Sequence, residues 1–243
     1  MRIKIEFETS NEHLPIDYRR KFLSYLKSAI EEYNNDLYTV LYGEGHISKS
    51  FCFSIYFAPK VVISKDEIIL YSKRLHATFT TQDMFLGIHL VNALMARINK
   101  WFPLADINNE LKALSITKVR EARITTNSVF FKILSPVVIR DHNEKEGRDW
   151  YLTFEDDGFE RIWKRNLKTE LQNVFGRDVS SDVDALQIKP IDLKKTVVKS
   201  YGIFIPCTIG SLVLEGEKYL LEYLYKAGMG SRRAMCFGCV DVV

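Results

Sequence analysis

Near its C-terminal end the chain carries Gly228-Met-Gly-Ser-Arg-Arg-Ala-Met-Cys-Phe-Gly238. Glycines let backbone N–H groups approach an anion closely and form a nest around it. Ser231 adds a hydroxyl donor. Arg232 and Arg233 add forked guanidinium donors that match phosphate oxygens. These residue types in one loop point to phosphate recognition by Gly228, Gly230, Ser231, Arg232, Arg233 and Gly238. A second reading is equally open from the residues: Gly228 ends a helix in the left-handed conformation, and the two arginines sit in a solvated turn. A nucleotide-binding P-loop is excluded, because no Gly-Lys-Ser/Thr opens a following helix.

Histidine and cysteine are the other residues able to do chemistry. His13 precedes a helix and reads as a surface residue. His76 lies beside Lys73 and Arg74. His89 flanks an apolar helical stripe, and His142 falls in a charged stretch read as solvated. Cys236 and Cys239 form one CxxC, but no second pair completes four zinc ligands. Cys52, Cys207 and Cys236 sit in apolar, strand-like segments and read as buried thiols. No carboxylate or histidine cluster has metal-ligand spacing, so neither metal nor cofactor is expected.

These residues must be positioned by 243 residues, of which 47% are apolar and 27% charged. That is globular composition with room for two domains, placed at 1–125 and 126–243. The net charge of +3 does not by itself argue for nucleic acid; only a local basic patch would. No apolar run is long enough to span a bilayer. The N-terminus lacks the apolar core of a signal peptide. A cytoplasmic protein with no membrane contact is therefore expected.

Periodicity supplies the elements. Ile3, Ile5 and Phe7 alternate with polar residues and predict a strand over 2–8. A helix is expected from Leu14-Pro15 to about Tyr33, on the stripe Phe22, Leu26 and Ile30. A glycine-rich loop at 42–46 follows, then strands at 51–57 and 67–74. Thr80-Thr81 is read as the cap of a helix carrying Met84, Ile88, Val91 and Met95. A strand at 114–125 closes the first half. In the second half, strands are expected at 129–134 and 137–140 and a solvated loop at 141–149. A helix follows at 158–175. A hairpin or strand pair at 197–205 and 211–214, a helix at 217–227 and a strand at 235–243 complete it. The order βαββαβ thus occurs twice, which predicts an α+β chain of two tandem ferredoxin-like domains, the fold of RNA-recognition modules.

The glycine-rich segment closely resembles a C-terminal signature of the CRISPR-associated repeat-processing endoribonucleases of the RAMP superfamily, G-x-G-S-R-R-A-x-G-F-G. The match holds at Gly228, Gly230, Ser231, Arg232, Arg233, Ala234, Phe237 and Gly238 and departs at Cys236. Three further segments resemble that family in the same order: Leu14-Pro15-Ile-Asp-Tyr18-Arg19, Lys49-Ser-Phe51-Cys-Phe-Ser54 and Ser135-Pro136-Val-Val-Ile-Arg140. So does Gly202-Ile-Phe204 with Gly210, before the last helix. The resemblance spans nearly the whole chain and implies the same two ferredoxin-like domains.

It also implies a reaction. Family members cut CRISPR repeat RNA without metal: the ribose 2′-hydroxyl attacks the neighbouring phosphate, leaving a 2′,3′-cyclic phosphate and a 5′-hydroxyl. This needs an acid or base and positive charge on the phosphate. Histidine suits the first because its pKa lies near neutrality. His46 and Lys49 are the residues the resemblance offers. Tyr33 is a third, read either as a phosphate or nucleophile contact or as helix core, with Tyr42 its rival. Lys194, Lys195 and Lys199 are expected to grip RNA phosphates. Lys164, Arg165 and Lys168 read equally as a solvated helix face. The implied partners are repeat RNA and other subunits of a CRISPR effector complex, with the chain a monomer or homodimer. The competing reading is a non-catalytic RNA-binding subunit of such a complex.

Overall fold

The computed structural model describes residues 1–43, 49–57, 60–143 and 147–243. The chain runs β1 (Arg2–Thr9), β2 (His13–Pro15), α1 (Arg19–Tyr33), α2 (Asn35–Tyr42), β3 (Phe51–Phe57), β4 (Val61–Ile63), β5 (Glu67–Leu70), β6 (Arg74–Thr81), α3 (Met84–Met95), β7 (Trp101–Pro103) and β8 (Glu110–Lys118). It continues with β9 (Ser128–Ile133), β10 (Ile139–Asn143), β11 (Arg148–Leu152), α4 (Phe159–Phe175), α5 (Ser180–Ala185), β12 (Gln187–Pro190), β13 (Lys194–Ser200), β14 (Ile203–Ile209), β15 (Ser211–Glu215), α6 (Lys218–Ala227) and β16 (Val240–Val242).

Two antiparallel sheets carry the architecture. The first has the order β3-β6-β1-β8-β7 and the second β12-β15-β9-β16. In each, the core strands taken in chain order as first to fourth lie 2-3-1-4, with two helices crossing one face. This is the ferredoxin-like arrangement expected from the sequence, present twice. Ile3, Ile5 and Phe7 of β1 meet Phe22, Tyr25 and Leu26 of α1 in the first core. Phe131, Trp163, Leu171, Leu214 and Leu220 belong to the second.

The elements differ from expectation where pairing overrides propensity. His13, Leu14 and Pro15 pair with Ile69, Ile68 and Glu67, so α1 begins at Arg19 rather than at Leu14-Pro15. The strand expected at 67–74 is two strands, β5 and β6. Thr80 and Thr81 belong to β6, and the cap of α3 is Asp83, whose carboxylate accepts from the Leu86 N–H at 3.0 Å. An unforeseen helix, α2, starts behind Asn34, whose side chain accepts from the Leu37 N–H at 2.9 Å. The expected solvated loop at 141–149 is largely a hairpin, with His142 opposite Asp149. Residues 235–243 form a strand only at β16, because the chain first makes a 3₁₀ turn over Arg233–Met235.

The largest difference concerns the second sheet. Of the segments expected at 197–205 and 211–214, only the second belongs to this sheet, as β15, and its neighbour on the edge side is the short β12. Strands β13 and β14 form a separate hairpin turning at Tyr201 and Gly202, both at positive φ. The two hairpins, β10–β11 and β13–β14, are therefore insertions into the ferredoxin-like frame, and they lie against each other: Val137, just before β10, bridges to Thr208 of β14. Among the described residues no helix is long and apolar enough to cross a membrane.

The two halves dock through the outer face of the first sheet. Arg2, read as the polar side of a half-exposed strand, is 1% exposed. Its guanidinium donates to the Val240 carbonyl at 3.0 Å, pairs with Asp241 at 3.3 Å and lies 4.9 Å from the Tyr225 ring centre. The Thr80 hydroxyl donates to the Lys226 carbonyl at 3.0 Å. The hydrogen bond, the ion pair and the ring contact offset the cost of burying this guanidinium, whose Nη2 faces Asp241 but makes no hydrogen bond among the described residues.

Candidate functional site

Helix α6 ends at Ala227, and the glycine-rich loop begins with Gly228 at φ +87°. The loop folds back on itself and into the domain junction. Met229 N–H donates to the Gly238 carbonyl at 2.8 Å, Ser231 N–H to Val138 at 2.6 Å and Gly238 N–H to Pro136 at 2.9 Å. The Ser231 hydroxyl accepts from the Arg140 N–H at 3.3 Å. The backbone N–H groups of Met229, Ser231 and Gly238 are thus spent inside the protein, and the Ser231 hydroxyl serves there as an acceptor, so these three N–H groups are not the open phosphate nest expected.

The glycines are instead places where another backbone passes too close for a side chain. A Cβ on Gly238 would stand 2.0 Å from the Met229 carbonyl oxygen, and one on Gly230 2.5 Å from that of Val138. On Gly228 it would stand 2.7 Å from Cys52 Sγ. Cys236, where the resemblance has glycine, adopts φ +66° with its side chain buried. Its carbonyl accepts from Arg19 Nε at 3.3 Å. Arg19 in turn lies over the rings of Tyr18 and Phe237.

The two loop arginines part company. Arg233 is 6% exposed. Its guanidinium donates to Glu170 of α4 and to the Gly228 carbonyl, and Glu170 also accepts from the Tyr223 hydroxyl. Arg233 is an internal strut, not the outward phosphate contact expected of it. Arg232 points the other way, toward β11. It donates to the Tyr151 hydroxyl and lies 3.6 Å from Asp149, while its Nε is buried with no partner among the described residues.

Asp149 gathers a network. It accepts from Arg140 Nε at 2.8 Å and from the Tyr151 hydroxyl at 3.2 Å, and meets His142 Nδ1 at 2.7 Å. Burial alone would raise its pKa. The His142 hydrogen bond and the Arg140 charge outweigh burial and hold the carboxyl below its ordinary value. His142, read as solvated, is thus tied to a carboxylate.

The β13–β14 hairpin sorts the three lysines by strand parity. Lys195 and Lys199 share one face with Val197, and opposite them stand Thr208, Phe204 and Pro206. Lys199 Nζ lies 6.0 Å from the Phe204 ring centre. Lys194 faces the other way, at the end of the strand far from the turn. The tip is tethered to the first domain: Asp17 Oδ2 accepts from the Tyr201 N–H at 3.0 Å and forms an ion pair with Arg20, 2.9 Å from its Nε.

The expected catalytic residues are only partly brought together. His46 lies outside the described residues. Lys49 is described, and its Nζ stands 4.9 Å from the Tyr42 ring centre, with Lys27 Nζ 4.5 Å from the same centre. Burial lowers the Lys49 pKa and the nearby Lys27 charge lowers it further. The Tyr42 hydroxyl is buried without a partner among the described residues, and burial drives its pKa well above the usual phenol range. Tyr33 belongs elsewhere. Its hydroxyl accepts from Asn92 Nδ2 at 3.2 Å and its ring lies 5.9 Å from that of His89, both on α3. The cluster therefore takes Tyr42, the rival, in place of Tyr33. Lys27 was missed because on one helix a lysine on the polar side carries no signal. Its meaning arises only when α2 folds back onto α1.

A family model described as CRISPR associated protein Cas6, C-terminal, matches residues 117–242. A solved structure described as a RAMP protein binding different RNA substrates superposes with a TM-score of 0.86 at 18% identity, over 100% of this chain and 99% of that one. A structure characterising a Cas6-related gene from Pyrococcus furiosus gives 0.86 at 19%, over 100% and 98%. A Cas6 product complex gives 0.72 at 16%, over 100% and 99%. At these identities the structures establish likeness of fold. No curated protein matches the chain in sequence.

Proposed function

We propose a function from one premise: this chain belongs to the CRISPR-associated Cas6 family. It binds CRISPR repeat transcripts in the cytoplasm and cuts them into guide RNAs as a metal-independent endoribonuclease. The observation that carries this reading is the pair of lysines on Tyr42. Two ammonium groups share one ring, and the charge that most affects Lys49 is another cation. The Lys27 charge acts on Lys49, so the two ammonium groups repel, and a phosphate bound beside them relieves the repulsion. In the chain, Lys49 follows the segment that contains His46.

The chemistry follows from these roles. The ribose 2′-oxygen bonds to the adjacent phosphorus as its proton passes to a base. The bond from phosphorus to the 5′-oxygen breaks, and that oxygen takes a proton. His46 supplies the acid–base function, and Lys49 with Lys27 stabilises the charge on the phosphoryl oxygens. No co-reactant is consumed. Outside the reacting centre, Arg232, Lys195 and Lys199 contact phosphates and make affinity fall with salt.

The test is incubation of labelled repeat RNA with protein in excess EDTA, with a parallel RNA carrying a 2′-deoxy sugar at the mapped cut. One cut per repeat, ending in a cyclic phosphate and lost on deoxy substitution, is the expected result. Tight binding without cutting would replace this reading with that of a non-catalytic RNA-binding subunit.

A further inference from the structure

Between the two inserted hairpins lies an open cleft of ≈ 450 Å³, lined by Trp150, Tyr151, Ile203, Phe204, Pro206 and Arg232. Trp150 is 73% exposed and Phe204 67%. Among the described residues neither ring is paired with another ring. Leaving two large apolar rings in water is unfavourable, and clustered exposure of this kind marks a binding surface. Arg232 lines the cleft, Lys199 stands over the Phe204 ring, and the Asp149 carboxylate beside them is already engaged by Arg140, His142 and Tyr151.

We infer that this cleft holds one unpaired base of the bound RNA, stacked on Trp150 and Phe204, with Arg232 meeting its base edge or adjoining phosphate. The inference rests on the proposed RNA function and adds a subsite to it. A base in a duplex has both faces covered, so a cleft walled by aromatic rings selects an unstacked nucleotide. Cation and aromatic side by side favour a nucleotide over an apolar peptide.

The experiment uses the full chain and repeat RNA from the CRISPR array of the same genome. 2-Aminopurine is placed at each unpaired position in turn, with an abasic site at the same positions in a second set. In the wild type, fluorescence is quenched on binding at one position, and the abasic RNA for that position binds roughly tenfold or more weakly. Trp150→Ala and Phe204→Ala show a similar loss on intact RNA but no further loss on the abasic one. Trp150→Phe restores most of it, and the salt dependence is unchanged because no phosphate contact is removed. Both side chains are exposed, so the variants fold. If the alanine variants bind intact RNA as tightly as wild type, the inference is overturned while the RNA function stands, and the rings are left for a protein partner. If the wild type does not bind repeat RNA at all, the proposed function falls and this inference with it.

Discussion

The ammonium nitrogen of Lys49 stands 4.9 Å from the centre of the Tyr42 ring, and that of Lys27 stands 4.5 Å from the same centre. Each contact is a cation–π attraction of about 0.5–1 kcal/mol at a partly exposed site. The ring thus holds two like charges together, at a place built from α1, α2 and the start of β3. Such a site is prepared for an anion before the anion arrives.

A pH dependence follows. Burial, and then the Lys27 charge, shift Lys49 below the usual lysine range. The protonated form binds phosphate, so affinity for RNA declines on the alkaline side earlier than for an ordinary lysine. Lys27→Met removes the neighbouring charge and moves the Lys49 titration upward. Affinity measured against pH for the two proteins checks this. A limb that stays in place or moves down on Lys27→Met would contradict it.

Arg233 and Glu170 give a stability prediction. With both groups largely out of water, Arg233→Ala strands a carboxylate and costs roughly 3–5 kcal/mol. Replacing both residues by Met and Leu recovers most of that loss. Arg232→Ala, at the cleft, leaves urea stability nearly unchanged and weakens RNA binding. Urea denaturation and RNA titration of the four proteins separate the two arginines.

The glycines divide similarly. Gly238→Ala collides with the Met229 carbonyl and Gly230→Ala with that of Val138, at positive φ in both cases. Each loses more than the roughly 1–2 kcal/mol of left-handed backbone strain alone. Gly202 also has positive φ (+79°) but meets nothing within 4 Å. Gly202→Ala therefore loses only the strain. Chemical denaturation ranks the three, and equal losses would refute the packing role of the loop.

Asp17 tethers the hairpin tip from the other domain. Asp17→Ala removes the acceptor of the Tyr201 N–H. Hydrogen exchange at Tyr201 becomes faster and RNA affinity falls severalfold, with little change in melting temperature. Unchanged exchange at that amide would show that the tip is held by other contacts.

The two ferredoxin-like units were legible because β1, α1, α4 and α6 carry clean apolar periods. The second sheet was misassigned because β12, Gln-Ile-Lys-Pro, is short and largely exposed and has no such period. The β13–β14 hairpin buries Val198, Ile205 and Cys207 on one side and so imitates a core pair. Composition marked the glycine loop, but its use did not follow from composition: close backbone packing and free N–H groups demand the same residue. Arg232 and Arg233 are adjacent and identical in type, and only the left-handed backbone at Arg232 separates their directions. Trp150 and Lys27 depend on tertiary contacts with no local pattern. His46, named from resemblance, lies outside the described residues.

The central claim is that the chemistry belongs to the Lys27, Tyr42 and Lys49 cluster with the segment that carries His46. Single-turnover cleavage of repeat RNA in excess EDTA tests it most directly, comparing wild type with Lys49→Ala and Tyr33→Phe. The account predicts that Lys49→Ala slows cleavage about 100-fold or more, with RNA affinity changed only a few fold, and that Tyr33→Phe cuts like wild type. Wild-type rates from Lys49→Ala, or a wild type that binds the RNA and leaves it whole, would contradict it.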